Sequence, residues 1–201
     1  LDVSTSPSWL AIDWSTPATL YAYAHIPSLG SLQLLKSTSG GNSWERVNPH
    51  SRRTLTALVI SPRDPSTLYA SSSAPSSAFV AKVNPAGSAL VYGTYLGGRG
   101  ADDGRPGSIG DAGQAIAVDT EGNAYVTGFA SPDFPTTAGA VQASPTGSGP
   151  FFDRTFAAKL NSAGSALVYS GITGPAFWIG VDPSGSAYVS NGRSLSKLNP
   201  Q

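Results

Sequence analysis

Short apolar runs alternate with polar turns along the chain, and one phrase recurs four times. Each copy has an apolar run, an acidic or polar turn residue and a short segment with a tyrosine: WLAIDWSTPATLYAYA from Trp9, LTALVISPRDPSTLYASS from Leu55, AIAVDTEGNAYVTG from Ala115 and WIGVDPSGSAYVS from Trp178. A second phrase follows each of them: LQLLKSTSGGNSW, FVAKVNPAGSALVYGTYLGG, FAAKLNSAGSALVYSGITG and LSKLNPQ. The chain is therefore built from four repeats.

The pattern of residues in each repeat predicts short β-strands. In the third repeat the strands are expected at Gln114–Val118, Ala124–Thr127, Phe156–Leu160 and Ala166–Tyr169, where apolar and polar positions alternate and Gly, Asn and Pro mark the turns. No window of a dozen residues has helical periodicity. The turn positions 13, 61, 119 and 182 are 48, 58 and 63 residues apart, a spacing suited to propeller blades. We predict an all-β, propeller-type domain over residues 1–201, with four short antiparallel four-stranded blades at 8–54, 55–110, 111–173 and 174–201 (plus 1–7).

The fourth repeat ends after its third strand, at Leu195–Leu198. An unpaired edge strand exposes a row of backbone N–H and C=O groups that favours pairing. The first four residues have no repeat of their own, and we predict that they complete the last blade of their own chain or of a neighbour: Leu1, Asp2, Val3 and Ser4. Donation between chains would produce a filament. The alternative is that the chain is a piece of a larger propeller.

Composition narrows the function classes. Charged residues make up 12% and the formal net charge is zero, which excludes a basic nucleic-acid footprint or polybasic membrane patch. Cys is absent, so the sequence has no disulfide, thiolate zinc site or cysteine nucleophile. No stretch approaches 18 apolar residues, and we expect no membrane insertion. A thiol-free, charge-poor surface rich in Ser, Thr and Gly predicts an extracellular or cell-surface location on a bacterium.

Few residues are available for catalysis. His25 and His50 each stand alone in polar segments, and we interpret them as surface residues. Glycoside hydrolysis needs a carboxylic acid paired with a nucleophile or base. The only glutamates are Glu45, expected on an outer strand, and Glu121, at the tip of a tight turn. We therefore expect no catalytic residue and no enzymatic activity.

Two insertions, 97–113 and 131–153, interrupt the repeats and are too rich in Gly and Pro for central strands. We interpret them as surface loops, with ligand-binding loops as the alternative. Three acidic residues of the first insertion are weak candidates for a Ca²⁺ site: Asp102, Asp103 and Asp111. The spacing of a calcium-binding loop is absent and arginines lie among them, so we expect an ion-paired loop with neither metal nor cofactor.

Several segments resemble a known repeat. Residues 79–98, 115–128, 133–137 and 155–169 are similar to the bacterial β-propeller repeat called SBBP, with the phrases IAVD, NAYVTG, DFPTT and AKLN. The first repeat resembles an Asp-box (BNR) hairpin, with Ser39 in place of the aspartate, at Ser37, Ser39, Gly41, Ser43 and Trp44. In that family the box is a structural hairpin lock with an inward-packed Trp. Both resemblances imply a propeller, and neither implies an activity.

These observations favour a non-catalytic structural module. We expect an extracellular fibre or surface-layer subunit that associates with itself through terminal strand exchange. The alternative is a propeller that binds a glycan or a protein through loops 97–113 and 131–153. A sialidase-like or lyase-like enzyme lacks its residues. Because Tyr69, Tyr125, Tyr188 and Trp44 recur in apolar strands, we also predict that these four aromatic side chains are largely buried.

Overall fold

The computed structural model describes residues 9–47, 55–65, 67–73, 78–84, 89–98, 110–140 and 154–198. Within these ranges the protein is all-β, with one 3₁₀ turn at Pro27–Leu29. The first sheet contains, in order, β1 (Trp9–Ile12), β2 (Leu20–Ile26), β3 (Ser31–Ser37) and β4 (Glu45–Val47). No helix in the described part of the chain is long and apolar enough to cross a membrane. The predicted donor segment at residues 1–4 lies outside these ranges.

The other three sheets repeat this up-and-down order. The second contains β5 (Leu55–Ile60), β6 (Leu68–Ser73), β7 (Ala78–Val83) and β8 (Leu90–Leu96). The third contains β9 (Ala112–Val118), β10 (Ala124–Phe129), β11 (Thr155–Leu160) and β12 (Leu167–Thr173). The fourth has three strands, β13 (Trp178–Val181), β14 (Ala187–Ser190) and β15 (Leu195–Leu198). All neighbouring strands are antiparallel, as in four successive blades of a propeller.

Several strand boundaries of the third blade differ from the prediction, by one to four residues, and two of them matter for the packing. Residues 112 and 113, assigned to the first insertion, are the start of β9, because Ala112 pairs with Ser73 of the second blade as well as with β10. This bridge joins the second and third sheets. The last strand of the third blade extends to Thr173 rather than ending at Tyr169, because its second half continues to pair with β11.

The core lies between successive blades. Tyr21 and Leu34 of the first blade pack against Leu68 of the second. Tyr69, Val80 and Leu96 pack against the third blade, where β10 is buried along its whole length. The third blade packs against the fourth through Tyr125 and Ala187. Each sheet thus buries its apolar side chains against its neighbours, as in a propeller.

The aromatic side chains of the repeat are not equally buried. Tyr69 and Tyr125 are fully buried, as predicted. Trp44 and Tyr188 are buried less completely than these two tyrosines, and neither is exposed. Tyr69 and Tyr125 each lie between two blades, whereas Tyr188 belongs to the last sheet of the described chain. Burial at this position therefore depends on the next blade and not on the strand itself.

Candidate functional site

A cluster of aspartate, tyrosine and lysine recurs beside the first turn of the blades. In the third blade the Tyr125 hydroxyl donates to Asp119 Oδ2 at 3.0 Å. Lys159 Nζ lies 3.7 Å from the same oxygen and 4.9 Å from the centre of the Tyr125 ring. The strands bring these residues together because Tyr125 is directly opposite Lys159 in the β10–β11 pair.

The fourth blade repeats this cluster. The Tyr188 hydroxyl donates to Asp182 Oδ2 at 3.0 Å, and Lys197 Nζ lies 4.0 Å from that oxygen and 5.3 Å from the ring centre. The tyrosine–lysine pair is also present in the first two blades, as Lys36 over Tyr21 and Lys82 over Tyr69. Sequence reasoning missed the lysines, although a lysine recurs in each second phrase.

Burial and hydrogen bonding shift the pKa values of Asp119, Asp182 and Tyr125 so that each group keeps one charge state near neutral pH. Burial raises the pKa of Asp119, but hydrogen bonds from Asn123, Tyr125 and the Glu121 backbone lower it below its ordinary value overall. The Ser184 hydroxyl is the main cause that lowers the pKa of Asp182, to about 2. Burial, together with Asp119, raises the pKa of the Tyr125 hydroxyl. At neutral pH these carboxylates are ionised and the Tyr125 hydroxyl is protonated, which suits a fixed structural contact.

The tyrosines also join neighbouring blades. The Tyr69 hydroxyl donates to the carbonyl oxygen of Gly122 at 3.0 Å, in the first turn of the third blade. The Tyr125 hydroxyl reaches the carbonyl oxygen of Gly185 at 3.3 Å, in the corresponding turn of the fourth blade. Both glycines have positive φ, 84° and 80°, which L side chains rarely adopt. Each turn is therefore shaped locally and contacted by the preceding blade.

The five residues that resemble an Asp-box lie at the end of β3 and in the turn that leads to β4. Ser37 Oγ accepts hydrogen bonds from the backbone N–H groups of Ser39 and Gly41, at 3.2 and 2.9 Å. Ser39 Oγ accepts from the Ser43 N–H at 2.9 Å, so its hydroxyl serves as an acceptor at the position where the family has an aspartate. The half-buried Trp44 packs against a small apolar cluster that contains Leu35. The turn is locked by side-chain-to-backbone bonds.

Asp111 ties the two insertions together. Its carboxylate is fully buried and accepts the Ser131 N–H at 2.6 Å and the Gly98 N–H at 2.8 Å. Burial, with a smaller contribution from Asp133, raises its pKa. Asp102 and Asp103 lie outside the described ranges. Where the structure is described, no group of three or more His, Cys, Asp or Glu side chains could hold a metal ion.

The described part of the second insertion, residues 131–140, is anchored on the third blade. Phe134 is buried and stacks on Phe156, with ring centres 4.2 Å apart. Thr137 and Ser170 exchange hydrogen bonds, with the Thr137 N–H donating to the Ser170 carbonyl and the Ser170 N–H donating to Thr137 Oγ1. This segment is therefore part of the blade's packing.

The remaining candidates are dispersed. His25 is exposed on β2, and His50 lies outside the described ranges. Glu45 begins β4, and Glu121 lies in the turn after β9, where it accepts a hydrogen bond from the Asn123 side chain at 3.2 Å. The structure does not bring the two glutamates together, since Glu45 lies in the first blade and Glu121 in the third.

A cavity of about 890 Å³ lies among the first strands of the four blades. Its walls come from β1, β5, β9 and β13 and are mostly aliphatic. Trp14, which is 86% exposed, lines it together with Pro62 and Pro65 of the second blade's turn. The described lining residues include no titratable side chain, and their polar side chains are Ser15 and Ser61. The lining of this cavity is therefore suited to contact with apolar groups.

A second feature is the outer edge of the fourth blade. In the described chain no strand pairs with the outer side of β15, whereas the third strands of the other blades each have a fourth strand beside them. Two small cavities, of about 260 and 210 Å³, lie along this edge and are lined by β15 and by β12 of the third blade. Ile172 and Leu198 contribute apolar surface to both.

A scan against family models finds no match to this chain, and a search of curated proteins finds none either. The fold is similar to solved structures. A chain of a nidogen/laminin complex is matched over 96% of this chain and 59% of its own, with a TM-score of 0.58 and 12% identity. YCF48 bound to a D1 peptide is matched over 100% and 51%, with a TM-score of 0.51 and 12% identity.

The WD40 domain of Neurospora crassa Pan2 is matched over 100% of this chain and 56% of its own, with a TM-score of 0.52 and 8% identity. The chain thus spans between half and three fifths of the length of these structures. At such low identity the similarity concerns the fold alone. The described residues therefore have a β-propeller-type fold, with four successive blades, the last of which has three described strands.

Proposed function

We propose that this protein is a non-catalytic binding and assembly module that accepts an extended protein segment as the fourth strand of its last blade. The observation that carries this proposal is that, among the residues the structure describes, β15 has no strand on its outer side, whereas the other three blades each have four strands. Addition of a strand to an exposed edge is a common mode of protein recognition, in which main-chain hydrogen bonds supply affinity and side-chain pockets supply specificity.

The backbone of β15 is oriented to accept such a strand. In the turn before it, the Asn191 N–H donates to the Ser194 carbonyl at 3.4 Å. Hydrogen-bonded and non-hydrogen-bonded pairs alternate along antiparallel strands, so Ser196 bonds to β14. The N–H and C=O groups of Leu195 and Lys197 then point away from the blade. They form the ladder that an added strand would complete.

Self-association is the finer part of this proposal. A second copy would donate the segment predicted from the sequence, residues 1–4, and repetition of this contact would give a fibre or surface layer. Donation between copies is a head-to-tail contact, which forms filaments when the rotation does not close. Support comes from the open edge and from the apolar grooves beside it.

A proline on the open edge tests self-association. Leu195→Pro removes an outward-pointing N–H and no hydrogen bond within the blade, which an edge strand tolerates. Leu195→Ser is the matched control, because it removes the same exposed side chain and keeps the N–H. We expect sedimentation velocity to show concentration-dependent oligomers for the wild type and the serine variant, and monomers for the proline variant. Deletion of residues 1–4 is expected to act like the proline.

A wild-type protein that stays monomeric at all concentrations would refute self-association. Oligomers that persist in the proline variant would place the contact elsewhere. Circular dichroism checks that each variant keeps its sheet content, so that loss of assembly is separated from loss of folding.

A second candidate function is recognition of an apolar protein segment at the central cavity. The exposed Trp14 beside two prolines, in an aliphatic wall without titratable side chains, favours it. Solvent-exposed aromatic side chains are enriched at protein interfaces. Trp14→Ala is expected to reduce binding of a fluorescent apolar dye such as ANS, whereas Trp178→Ala, outside the lining, should leave it unchanged.

We also propose that the repeats are of the SBBP type with one Asp-box-like turn, and that the protein acts outside a bacterial cell. The absence of Cys and the 12% of charged residues support this location. Detection of the protein in fractionated cells, in the surface and medium fractions against the cytoplasm, tests it.

A further inference from the structure

The sequence contains one Asn-Gly pair, Asn191–Gly192, and it lies in the turn that joins β14 to β15. The other asparagines of the chain precede serine, alanine or proline. A backbone nitrogen attacks the side-chain amide of a preceding asparagine most readily when it belongs to glycine, because glycine has no Cβ to hinder the approach. This turn therefore has a reactive pair that the other turns lack.

Three hydrogen-bond donors converge on the side-chain oxygen of Asn191. The backbone N–H groups of Arg193 and Ser194 each donate to Asn191 Oδ1 at 2.8 Å, and the Ser194 hydroxyl donates at 3.1 Å. When a nucleophile adds to Cγ, this oxygen takes up the negative charge. Donors that are already in place at such an oxygen stabilise the developing charge. The turn therefore favours addition to the side-chain carbonyl.

The nitrogen next to this carbonyl belongs to Gly192. Its N–H donates to Ser190 Oγ at 3.1 Å, so a proton acceptor lies beside the nucleophile. Gly192 has a φ of 83°, which L side chains rarely adopt, so the shape of the turn requires glycine. The residue is also exposed, and solvent water therefore reaches the site. Nucleophile, carbonyl, proton acceptor and water thus meet in one turn.

We propose that Asn191 is a site of spontaneous modification, where the folded turn promotes conversion of the asparagine to aspartate and isoaspartate. The Gly192 nitrogen forms a bond to Asn191 Cγ, and the bond between Cγ and Nδ2 breaks. Nδ2 leaves as ammonia together with the proton of the Gly192 N–H, and a five-membered succinimide ring remains. A solvent water then opens the ring at either carbonyl carbon, which gives aspartate or isoaspartate.

The modification has a structural consequence for the hairpin. Isoaspartate lengthens the main chain by one carbon at position 191. The Asn191 N–H donates to the Ser194 carbonyl at 3.4 Å, and Ser190 pairs with Leu195 at the start of the ladder. An additional main-chain atom in so short a turn displaces these partners. We therefore expect the isoaspartate form to loosen β15 against β14.

Mass spectrometry of the full chain, incubated at neutral pH, measures the conversion, with synthetic standards to separate aspartate from isoaspartate. Asn161 is the internal control, since its Oδ1 also accepts backbone N–H groups, from Ser165 at 2.9 Å and Ala166 at 3.3 Å, but serine follows it. A peptide of residues 187–198, AYVSNGRSLSKL, is the unfolded reference. We expect Asn191 to convert about tenfold faster in the chain than in the peptide, a smaller effect than such donors have in a site without water.

Two variants test the groups that assist the reaction. Ser194→Ala removes one donor to the side-chain oxygen, and Ser190→Ala removes the acceptor of the Gly192 N–H. Each is expected to slow the conversion about two- to tenfold in the chain, the equivalent of one neutral hydrogen bond, and to leave the peptide unaffected. Asn191→Gln is the negative control, because its reaction needs a less favourable six-membered ring. Circular dichroism checks that each variant is folded.

Conversion in the full chain that is no faster than in the peptide would overturn the inference. Equal conversion of Asn161 and Asn191 would do the same, because it would remove the role of glycine. Two serine variants that both react at the wild-type rate would show that the hydrogen bonds of the turn do not assist. The assay needs no partner and no assembly, so its result is separate from that of the proposed function.

Discussion

Substitution of Gly128 is the most direct test of how the third blade is packed. Gly128 lies in β10, opposite Gly113, at a bulge in the β9–β10 pair. A Cβ on Gly128 would come 1.9 Å from the carbonyl oxygen of Ala112 and 2.9 Å from its carbonyl carbon. These are backbone atoms of the neighbouring strand, so no side-chain rotation can relieve the overlap.

The magnitude follows from the displacement that Gly128→Ala requires. The 1.9 Å distance is about 1.5 Å shorter than an ordinary van der Waals contact of 3.4 Å. Strand β9 must therefore move, although Ala112 also pairs with the second blade. Overpacking a core by one methyl group costs about 1–3 kcal/mol, and we expect Gly128→Ala to lie at or above the upper end. For a domain of this size that lowers the melting temperature by about 6–12 °C.

Gly180→Ala is the matched control. Gly180 is an exposed residue of β13 with no atom within 4 Å of an added Cβ. Since alanine restricts the unfolded chain, the control is expected to be neutral or to stabilise by about 0.4–1 kcal/mol. Thermal unfolding followed by circular dichroism, with urea titration for the free energy, measures both variants. A Gly128→Ala protein within 1 kcal/mol of the control would refute the reasoning about this bulge.

Three further predictions follow from single contacts. Ser37→Ala removes the acceptor of two backbone N–H groups and should cost about 1–2 kcal/mol in the free energy of unfolding, measured by urea titration. Tyr69→Phe removes the donor to the Gly122 carbonyl and should cost about 1 kcal/mol, whereas an unchanged midpoint would mean that this bond adds nothing. The lowered pKa values of Asp119 and Asp182 predict stability that is complete above pH 3.8 and lost as the pH falls toward 2. Melting temperatures in that range should fall less for Asp182→Asn than for the wild type.

The clusters of aspartate, tyrosine and lysine show which part of the candidate site could be predicted from the sequence. The aspartate and the tyrosine are six residues apart in both the third and the fourth repeat, on either side of one turn, so the sequence shows them as parts of one recurring phrase, whereas their hydrogen bond is a finding of the structure. The lysine is more distant in the third repeat, at position 159 after a 23-residue insertion. Its place over Tyr125 depends on the β10–β11 register, which the pattern of residues did not specify.

The contacts made by the two insertions were likewise not predictable from the sequence. The composition of residues 131–153 indicated an irregular segment, since Gly and Pro disfavour central strands. It did not indicate that Phe134 stacks on Phe156, because an isolated aromatic in such a segment is equally compatible with an exposed binding loop. The sequence offers Asp111 as a weak Ca²⁺ candidate in a loop expected to be ion-paired, whereas its neighbours in space are the N–H groups of Gly98 and Ser131.

The sequence by itself determined the all-β class and the four repeats, because strand alternation and turn chemistry act over a few residues. Only the tertiary structure decided what lies between the repeats: the Tyr69–Gly122 contact across 53 residues, the strand start at Ala112 and the exposure of Lys197. The physical reason is that a blade buries its face against the next blade. The burial of a side chain is then set by the neighbouring sheet, which the local pattern does not encode.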